Sequence, residues 1–515
     1  MCGGPVSARL LFLCVLFMTV LASFGQSLAS EREPEEIAVL SPDEVSSFDS
    51  SGRAVGVGDG YVVAGAPTDD DAGPGGGSVA VFEHVDGVWR EVAVLAAFDA
   101  DHGGQFGSAV AADGDTVVVG ALSSMDSGAA YVFVREEGLW VQQARLSPAD
   151  AAESDLFGHS VAVSGDVVVV GAIFDDHGGQ TNPGSAYVFT RSDGTWQEEG
   201  KLTASDAGPW DQFGYAVAAT DDRVAVGAIY DDNDAGADAG AVYVFHRGAD
   251  GWAEEAKLAT NDLAYRDFLG GSVALDDRTV VAGAYRDDDA GDASGAAYVF
   301  QHDGDTWQQV VKLTASDAGT QDWFGRSVAI QGDSALIGAP LDDHDAGTNA
   351  GSAYLFVRRD GAWHEHAKLT GSTSAESDWF GLSVDIHDGL AVSGAHSHDH
   401  PHESAGATYL FDLNLNSTPE ATPDSYDLAD MQLSLGPAGF LVSSPGVLDN
   451  DVDADGDQLT AELATAPTRG TVRLRHDGAF VYTPSIGFTG TDTFSYVAND
   501  GAATSQPVTV TITLP

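Results

Sequence analysis

The chain has 515 residues, with 79 Asp and Glu against 22 Lys and Arg and a formal net charge of −57. So negative a surface repels nucleic acid and anionic membranes, and neither is an expected partner. Heavy Asp use with scarce Lys points to a salt-loving source, where screening removes the self-repulsion.

Arg9 precedes an apolar run from Leu10 to Ala22, and small residues follow at Ser23, Gly25, Ser27, Ala29 and Ser30. This is the layout of a secretory signal peptide over residues 1–30. The run is too short for a comfortable transmembrane helix, so no span is expected in the mature chain. Cys2 and Cys14, the only cysteines, would leave with it. The mature chain would then hold no disulfide, no thiol nucleophile and no Cys-ligated zinc. Secretion or surface display is expected.

Ile37-Ala38-Val39-Leu40 reads as an outer strand with no inner strands before it. From there to residue 413 one phrase returns about every 55 residues, the mark of a propeller or solenoid. In one copy it reads Phe213-Gly214, Gly227-Ala228, Tyr243-Val244-Phe245, Trp252 and Lys257-Leu258. Each unit holds four short runs of alternating Val, Ala, Tyr and Phe, which is one propeller blade. Tight hairpins such as Ser164-Gly165-Asp166 join the first two runs.

Seven units are counted. The Phe of Phe-Gly stands at 106, 157, 213, 324 and 380, with Ser51 and Leu269 in the other two. From that position to the Gly of Gly-Ala the spacing is always 14. Constant spacing is expected of inner strands packed around an axis. Thr408–Leu413 is a third strand with no fourth after it, so residues 37–40 should pair with it and complete the last blade. Closure of this kind also removes exposed strand edges. The expected fold is all-β: a seven-bladed β-propeller over 36–413, closed by the N-terminal strand and followed by a small β-sandwich.

These phrases resemble the FG-GAP repeats of integrin α-subunit propellers and their bacterial relatives. Gly65-Ala66-Pro67 and Gly338-Ala339-Pro340 carry the full Gly-Ala-Pro. The resemblance implies that the Phe-Gly strand is innermost and the Trp…Lys-Leu strand outermost. The family's calcium sites lie between the first two strands, and here the tight turn leaves no room for them.

Strand direction puts the loops between strands two and three, and the connections between blades, on one acidic face. Function is expected there. Its loops carry Asp231, Asp232 and Asp234, then Asp287, Asp288 and Asp289, then Asp342, Asp343 and Asp345. Crowded carboxylates suit a hard cation, so calcium is a candidate, against capped and solvated turns as the alternative. His396, His398, His400 and His402 alternate along the last loop. In an extended chain they would point one way and offer imidazoles to a transition metal. Phe268, Trp323 and Trp379 each precede the Phe-Gly position. They form either packing between blades or a platform for a sugar or protein partner.

Residues 414–423 read as a linker and 424–515 as the sandwich. Leu448-x-Asn450-Asp451-x-Asp453-x-Asp455-Gly456-Asp457, Gly470-Thr471-Val472, Tyr482-Thr483-Pro484 and Gly490-Thr491-Asp492-x-Phe494-x-Tyr496 resemble bacterial cadherin-like repeats of surface adhesins. Asn450, Asp451, Asp453, Asp455 and Asp457 place oxygens at short intervals and suit calcium.

No nucleophile elbow, zincin helix or phosphate loop occurs, so no enzyme is expected. The expected function is binding or adhesion to an extracellular protein or polysaccharide, with calcium as a stabilising ion. The alternatives are a carbohydrate-binding protein using the three aromatics and, third, a secreted hydrolase.

Overall fold

The structure, a computed structural model, describes residues 33–514 apart from 71–74, 100–103, 123–126, 234, 360, 400–401, 414–418, 428–438, 454–457 and 501–502. The expected signal peptide lies outside the described residues. Two compact units divide the chain, Pro34–Leu413 and a second one built on Asn414–Pro515.

The first unit contains seven four-stranded antiparallel sheets. The fourth is typical: Phe213–Ala219, Arg223–Ala228, Ala241–Gly248 and Gly251–Leu258. Strand two, Arg-Val-Ala-Val-Gly-Ala, is buried along its whole length because a neighbouring sheet covers each face. The outer strand alternates and ends on a buried Leu, with one side turned to solvent. Period-two patterning of this kind pins the register.

Aromatic packing fills five of the seven blades. Phe213 meets Tyr243 at 5.5 Å and Phe245 at 6.0 Å, both edge-on. The same pair of contacts recurs at Phe106, Phe157, Phe324 and Phe380. Such pairs contribute about 0.5–1.5 kcal/mol each beyond their buried area.

The spacing of 14 has a steric cause. The Gly of each Gly-Ala pair lies against the backbone carbonyl of the Phe-Gly glycine in the next sheet. A Cβ on Gly227 would stand 2.0 Å from the Gly270 oxygen, and one on Gly171 equally close to that of Gly214. An inserted residue would move one of these glycines out of the contact.

Closure follows the expected route. Glu35–Leu40 pairs antiparallel with Ala407–Asp412, joining Val39 to Tyr409 and Leu40 to Thr408. The last sheet meets the first through the same glycine contact, Gly394 on the Gly52 carbonyl. Across that seam Val57 N donates to Asp385 Oδ2 at 2.8 Å. Glu36 of the N-terminal strand accepts from Ser372 N at 2.7 Å, as Glu254 accepts from Ser205 N at 2.9 Å. The N-terminal strand therefore behaves as an ordinary outer strand, and the unit is a β-propeller.

The second unit is a two-sheet β-sandwich. One sheet orders Asp424–Asp427, Val508–Leu514, Gly490–Asn499 and Thr460–Thr465; the other orders Phe440–Val442, Phe480–Pro484 and Gly470–Leu474. Asp424–Asp427 runs parallel to its neighbour. Phe480, Phe494, Tyr482, Tyr496, Val510 and Ile512 fill the core between them.

Candidate functional site

On the acidic face the lysines come first. Lys257 Nζ lies 2.7 Å from Asp206 and 2.9 Å from Asp231, and Tyr243 donates its hydroxyl to both carboxylates at 2.6 Å. Lys201 bridges Asp150 and Asp175, and Lys368 bridges Asp317 and Asp342. Lys312 reaches Asp287 at 2.7 Å and Asp289 at 2.6 Å. Burial opposes the charge on Lys257, but the hydrogen bonds to Asp206 and Asp231 outweigh it and raise its pKa. Asp206 is partly desolvated too, yet Lys257 and Tyr243 hold it below the usual carboxylate range.

Asp231, Asp287 and Asp342 are thus buried partners of lysine, and an ammonium lies beside each of these candidate calcium ligands. Asp232, Asp288 and Asp343 are exposed and close their own loops. Each accepts a backbone N–H, from Asp238, Ala293 and Asn349 respectively, at 2.7–2.8 Å. Asp345 is exposed, and Asp234 lies outside the described residues.

A third acid, two residues before six of the seven Phe-Gly positions, caps the connection between blades; the second blade has Gly104 there. Asp211 accepts from Gly208 N at 2.6 Å and Asp267 from Ala264 N at 2.7 Å. Burial and then the nearby Asp231 or Asp287 push both up to about 6.

The last blade departs from this scheme at three positions together. Val39 stands where the third to sixth blades have Lys, His398 where they have the buried Asp, and Thr373 where they have the bridging Asp. His398 Nδ1 contacts Asp378 Oδ2 at 2.8 Å, and Thr373 Oγ1 contacts the Tyr409 hydroxyl at 2.8 Å. Removing the cation and two anions together takes one net negative charge out of the site.

The histidine run does not lie extended. The chain turns at His396 and Ser397, His398 is buried on Asp378, and His402 is exposed. His396 packs on Trp379 at 5.3 Å. Among the described residues these imidazoles form no shared ligand group, and His400 lies outside the described residues. The extended geometry that would align them fails at the turn. Two groups elsewhere do bring ligand atoms within 4.8 Å of one another: Asp49, Asp69 and Asp70 in the first blade, and Asp59, His387 and Asp388 on the opposite face.

The three aromatics share one backbone role. Phe268, Trp323 and Trp379 have φ of +64°, +58° and +61°, as do Gln105, Leu156 and Gln212 nearly. This left-handed residue turns the chain into the inner strand; Arg326 N donates to Trp323 O at 3.0 Å. Phe268 is buried between Tyr230 at 5.1 Å and Tyr285 at 5.7 Å, so it offers no open ring face. Trp323, half-buried, packs on Tyr285 at 5.7 Å. Of the two alternatives, packing describes Phe268; Trp323 continues an arc with Tyr230 and Tyr285, and Trp379 packs on His396.

Sequence reasoning missed these two tyrosines and the residue after each Phe-Gly. That position holds Arg53, Ser108, His159, Tyr215, Gly271, Arg326 and Leu382. Burial and then the charges of Arg326 and Arg53 push His159 down to about 4.

In the sandwich, Tyr496 donates to Asp451 at 2.8 Å and Thr422 N donates to Asp451 Oδ1 at 2.8 Å. Asn450 Nδ2 reaches the carbonyls of Thr422 and Pro423 at 3.4 Å. Asp424 is pushed up to about 6 by burial and then by the charge of Asp451. Asp453 is within the described residues; Asp455 and Asp457 are not.

The FG-GAP repeat family matches residues 89–133, 140–189, 196–245, 252–300, 307–356 and 363–411, and the bacterial cadherin-like domain matches 416–514. No curated protein matches the chain. Solved structures similar to it include a proposed 6-phosphogluconolactonase from Bacteroides fragilis, 12% identical, covering 63% of this chain and 86% of that one, TM-score 0.41. Another proposed 6-phosphogluconolactonase, from Bacteroides uniformis, is 12% identical over 65% of this chain and 89% of that one, TM-score 0.40. The six matched repeats cover more than half of the sequence, and the chain belongs to the FG-GAP repeat family, with a bacterial cadherin-like domain at its C-terminal side.

Proposed function

We propose that the chain is an extracellular binding or adhesion protein, exported by its N-terminal segment, that holds the acidic loop face of the propeller towards a protein or polysaccharide. The observation carrying this reading is the state of the acids on that face. Asp231 and its repeats are engaged by lysine and tyrosine, and Asp232 and its repeats by backbone N–H groups. These carboxylates hold loops in place on a rigid frame, which is what a binding surface requires. Among the described residues no helix is long and apolar enough to cross a membrane.

Calcium belongs to this reading in the sandwich more than in the propeller loops. Asp424 Oδ2 is buried with no hydrogen-bond partner beside Asp451. A cation held by Asn450, Asp451, Asp453, Asp455 and Asp457 would relieve that crowding. Carbohydrate binding is the second reading, favoured by the half-buried Trp323 and Trp379 on the loop face.

The test is capture of the full chain on arrays of extracellular proteins and polysaccharides. Binding that weakens in Asp232→Asn/Asp343→Asn, and persists in Asp193→Asn/Asp303→Asn on the opposite face, supports the reading. No capture, or capture indifferent to both variants, rejects it.

A further inference from the structure

Arg53 and Arg326 are the two arginines at the position that follows each Phe-Gly site, on the inner strands. Arg135, Arg191, Arg223, Arg247, Arg266 and Arg358 each pair with a carboxylate within 3.3 Å. Arg53 and Arg326 have no such partner among the described residues, in a chain with 79 acids. Two like charges held near one another without a counter-ion are unfavourable, and a bound anion would relieve them.

Their place in the fold is the propeller axis. Both follow the Phe-Gly pair at the start of an inner strand, in the first and sixth blades. Arg53 feels the charge of Arg326 and of Tyr215 in the fourth blade. His159 of the third blade and His396 of the seventh feel both arginines. Side chains from five blades come within reach of one another only where the blades converge. Solvent reaches Arg53, yet enclosure still lowers its pKa from the ordinary value.

The surroundings are built for more than a bare ion. His159 Nδ1 and His396 Nδ1 are buried with no hydrogen-bond partner. Arg326 stands 5.6 Å over the Tyr285 ring, which leads on to Trp323. Neutral imidazole nitrogens suit hydroxyl groups, and aromatic walls suit the apolar face of a pyranose. The rim carries Asp232, Asp288 and Asp343, which repel a dense polyanion and admit a ligand with one charge.

We propose that the axial mouth of the propeller binds an anionic sugar, with Arg53 and Arg326 holding its carboxylate or sulfate and Tyr285 and Trp323 flanking its ring. This rests on the reading of the loop face as a binding surface and names a ligand class for it.

The experiment is calorimetric titration of the full chain with glucuronate, galacturonate, galactose 6-sulfate, glucose and inorganic sulfate. At least one acidic sugar should bind, with glucose and inorganic sulfate weaker by at least about tenfold. The two acid types separate carboxylate from sulfate as the recognised group. Arg53→Gln/Arg326→Gln should abolish the uptake while its melting temperature stays or rises, because a repulsion between like charges is gone. Trp323→Ala should weaken the sugar and leave inorganic sulfate unchanged. The proposal falls if no acidic sugar binds, if inorganic sulfate binds as well as the sugars, or if the double variant binds normally. An acidic peptide held by the same arginines in place of sugars would also overturn it. Failure here with array capture intact removes the axial site and leaves the loop-face reading standing.

Discussion

The carbonyl oxygen of Gly52 sits so close to Gly394 that a Cβ there would stand 2.0 Å away. These residues are 342 positions apart in the chain, yet their contact repeats one made six times elsewhere between consecutive blades. The seam between the last blade and the first is therefore packed like the others. Gly394→Ala should force those two blades apart at a cost of about 3 kcal/mol, the upper range for overpacking. Gly200 has open space around it, so Gly200→Ala should be neutral or stabilising by roughly 0.5–1 kcal/mol. Urea midpoints of the two variants check the contrast, and equal stabilities would dismiss the steric account of the spacing.

Lys257 supplies the positive charge for a buried carboxylate that is 2% exposed. Lys257→Met should destabilise the propeller by about 3 kcal/mol, since it leaves Asp231 without its cation. The seventh blade shows how the position manages without lysine. A triple variant Lys257→Val/Asp231→His/Asp206→Thr copies Val39, His398 and Thr373 and should recover most of that loss. Thermal unfolding of single and triple variants measures the coupling; additive losses would mean that the three positions act independently.

Much of this was legible in the sequence, for a physical reason. Constant spacing survives only where an insertion would clash, so Phe-Gly and Gly-Ala showed the inner half of every blade. The unmatched first and last strands showed the closure. The lysines were visible as a repeated position, but their partners were not. Lys257 reaches Asp231 across 26 residues and Asp206 across 51, and aspartates so spaced read as loose acids awaiting a metal. The axis was hidden for a different reason. Its column reads Arg53, Ser108, His159, Tyr215, Gly271, Arg326 and Leu382, with no consensus to draw the eye. Only the ring brings Arg53 near Arg326.

Asp267 sets a pH dependence. Its carboxyl is pushed up to about 6 by burial and then by Asp287 and Asp288, against an ordinary value of 3.8. The folded state therefore binds a proton more readily than the unfolded one between those values. Stability from this group falls as pH rises through that window and stays low above it. Asp267→Asn keeps an acceptor for Ala264 N and removes the ionisation. It should gain about 1–3 kcal/mol at pH 7.5, and the gain should vanish near pH 3.5. Melting curves of both proteins across that range decide; a gain independent of pH would place the effect elsewhere.

Tyr496 ties the sandwich core to the candidate calcium segment. Its hydroxyl donates to the Asp451 carboxylate, and it also reaches the Val447 carbonyl. Tyr496→Phe should cost about 1.5–3 kcal/mol, the range for a hydrogen bond to a charged group. Calorimetry should show the loss in one transition with the propeller transition unmoved.

Calcium supplies the remaining test, and ionic strength must be controlled in it. A chain with a formal charge of −57 gains stability from any added salt through screening. Only the difference between calcium and an equal ionic strength of sodium reports a site. A ligand that binds the native state alone raises the melting temperature by mass action. Calcium should raise the sandwich transition, and Asp451→Asn should remove most of the rise. Asp424 makes the pH dependence of that rise informative. Its carboxyl is pushed up to about 6 by burial and by Asp451, so without calcium the sandwich loses stability as pH rises from the ordinary value of 3.8 towards 6 and stays lower above it. Bound calcium favours the ionised form, so the stabilisation should grow as pH rises through 6. Superimposable curves with calcium and with chelator, at constant ionic strength, would take calcium out of the reading and leave Asp451 as a partner of Tyr496 and the Thr422 backbone.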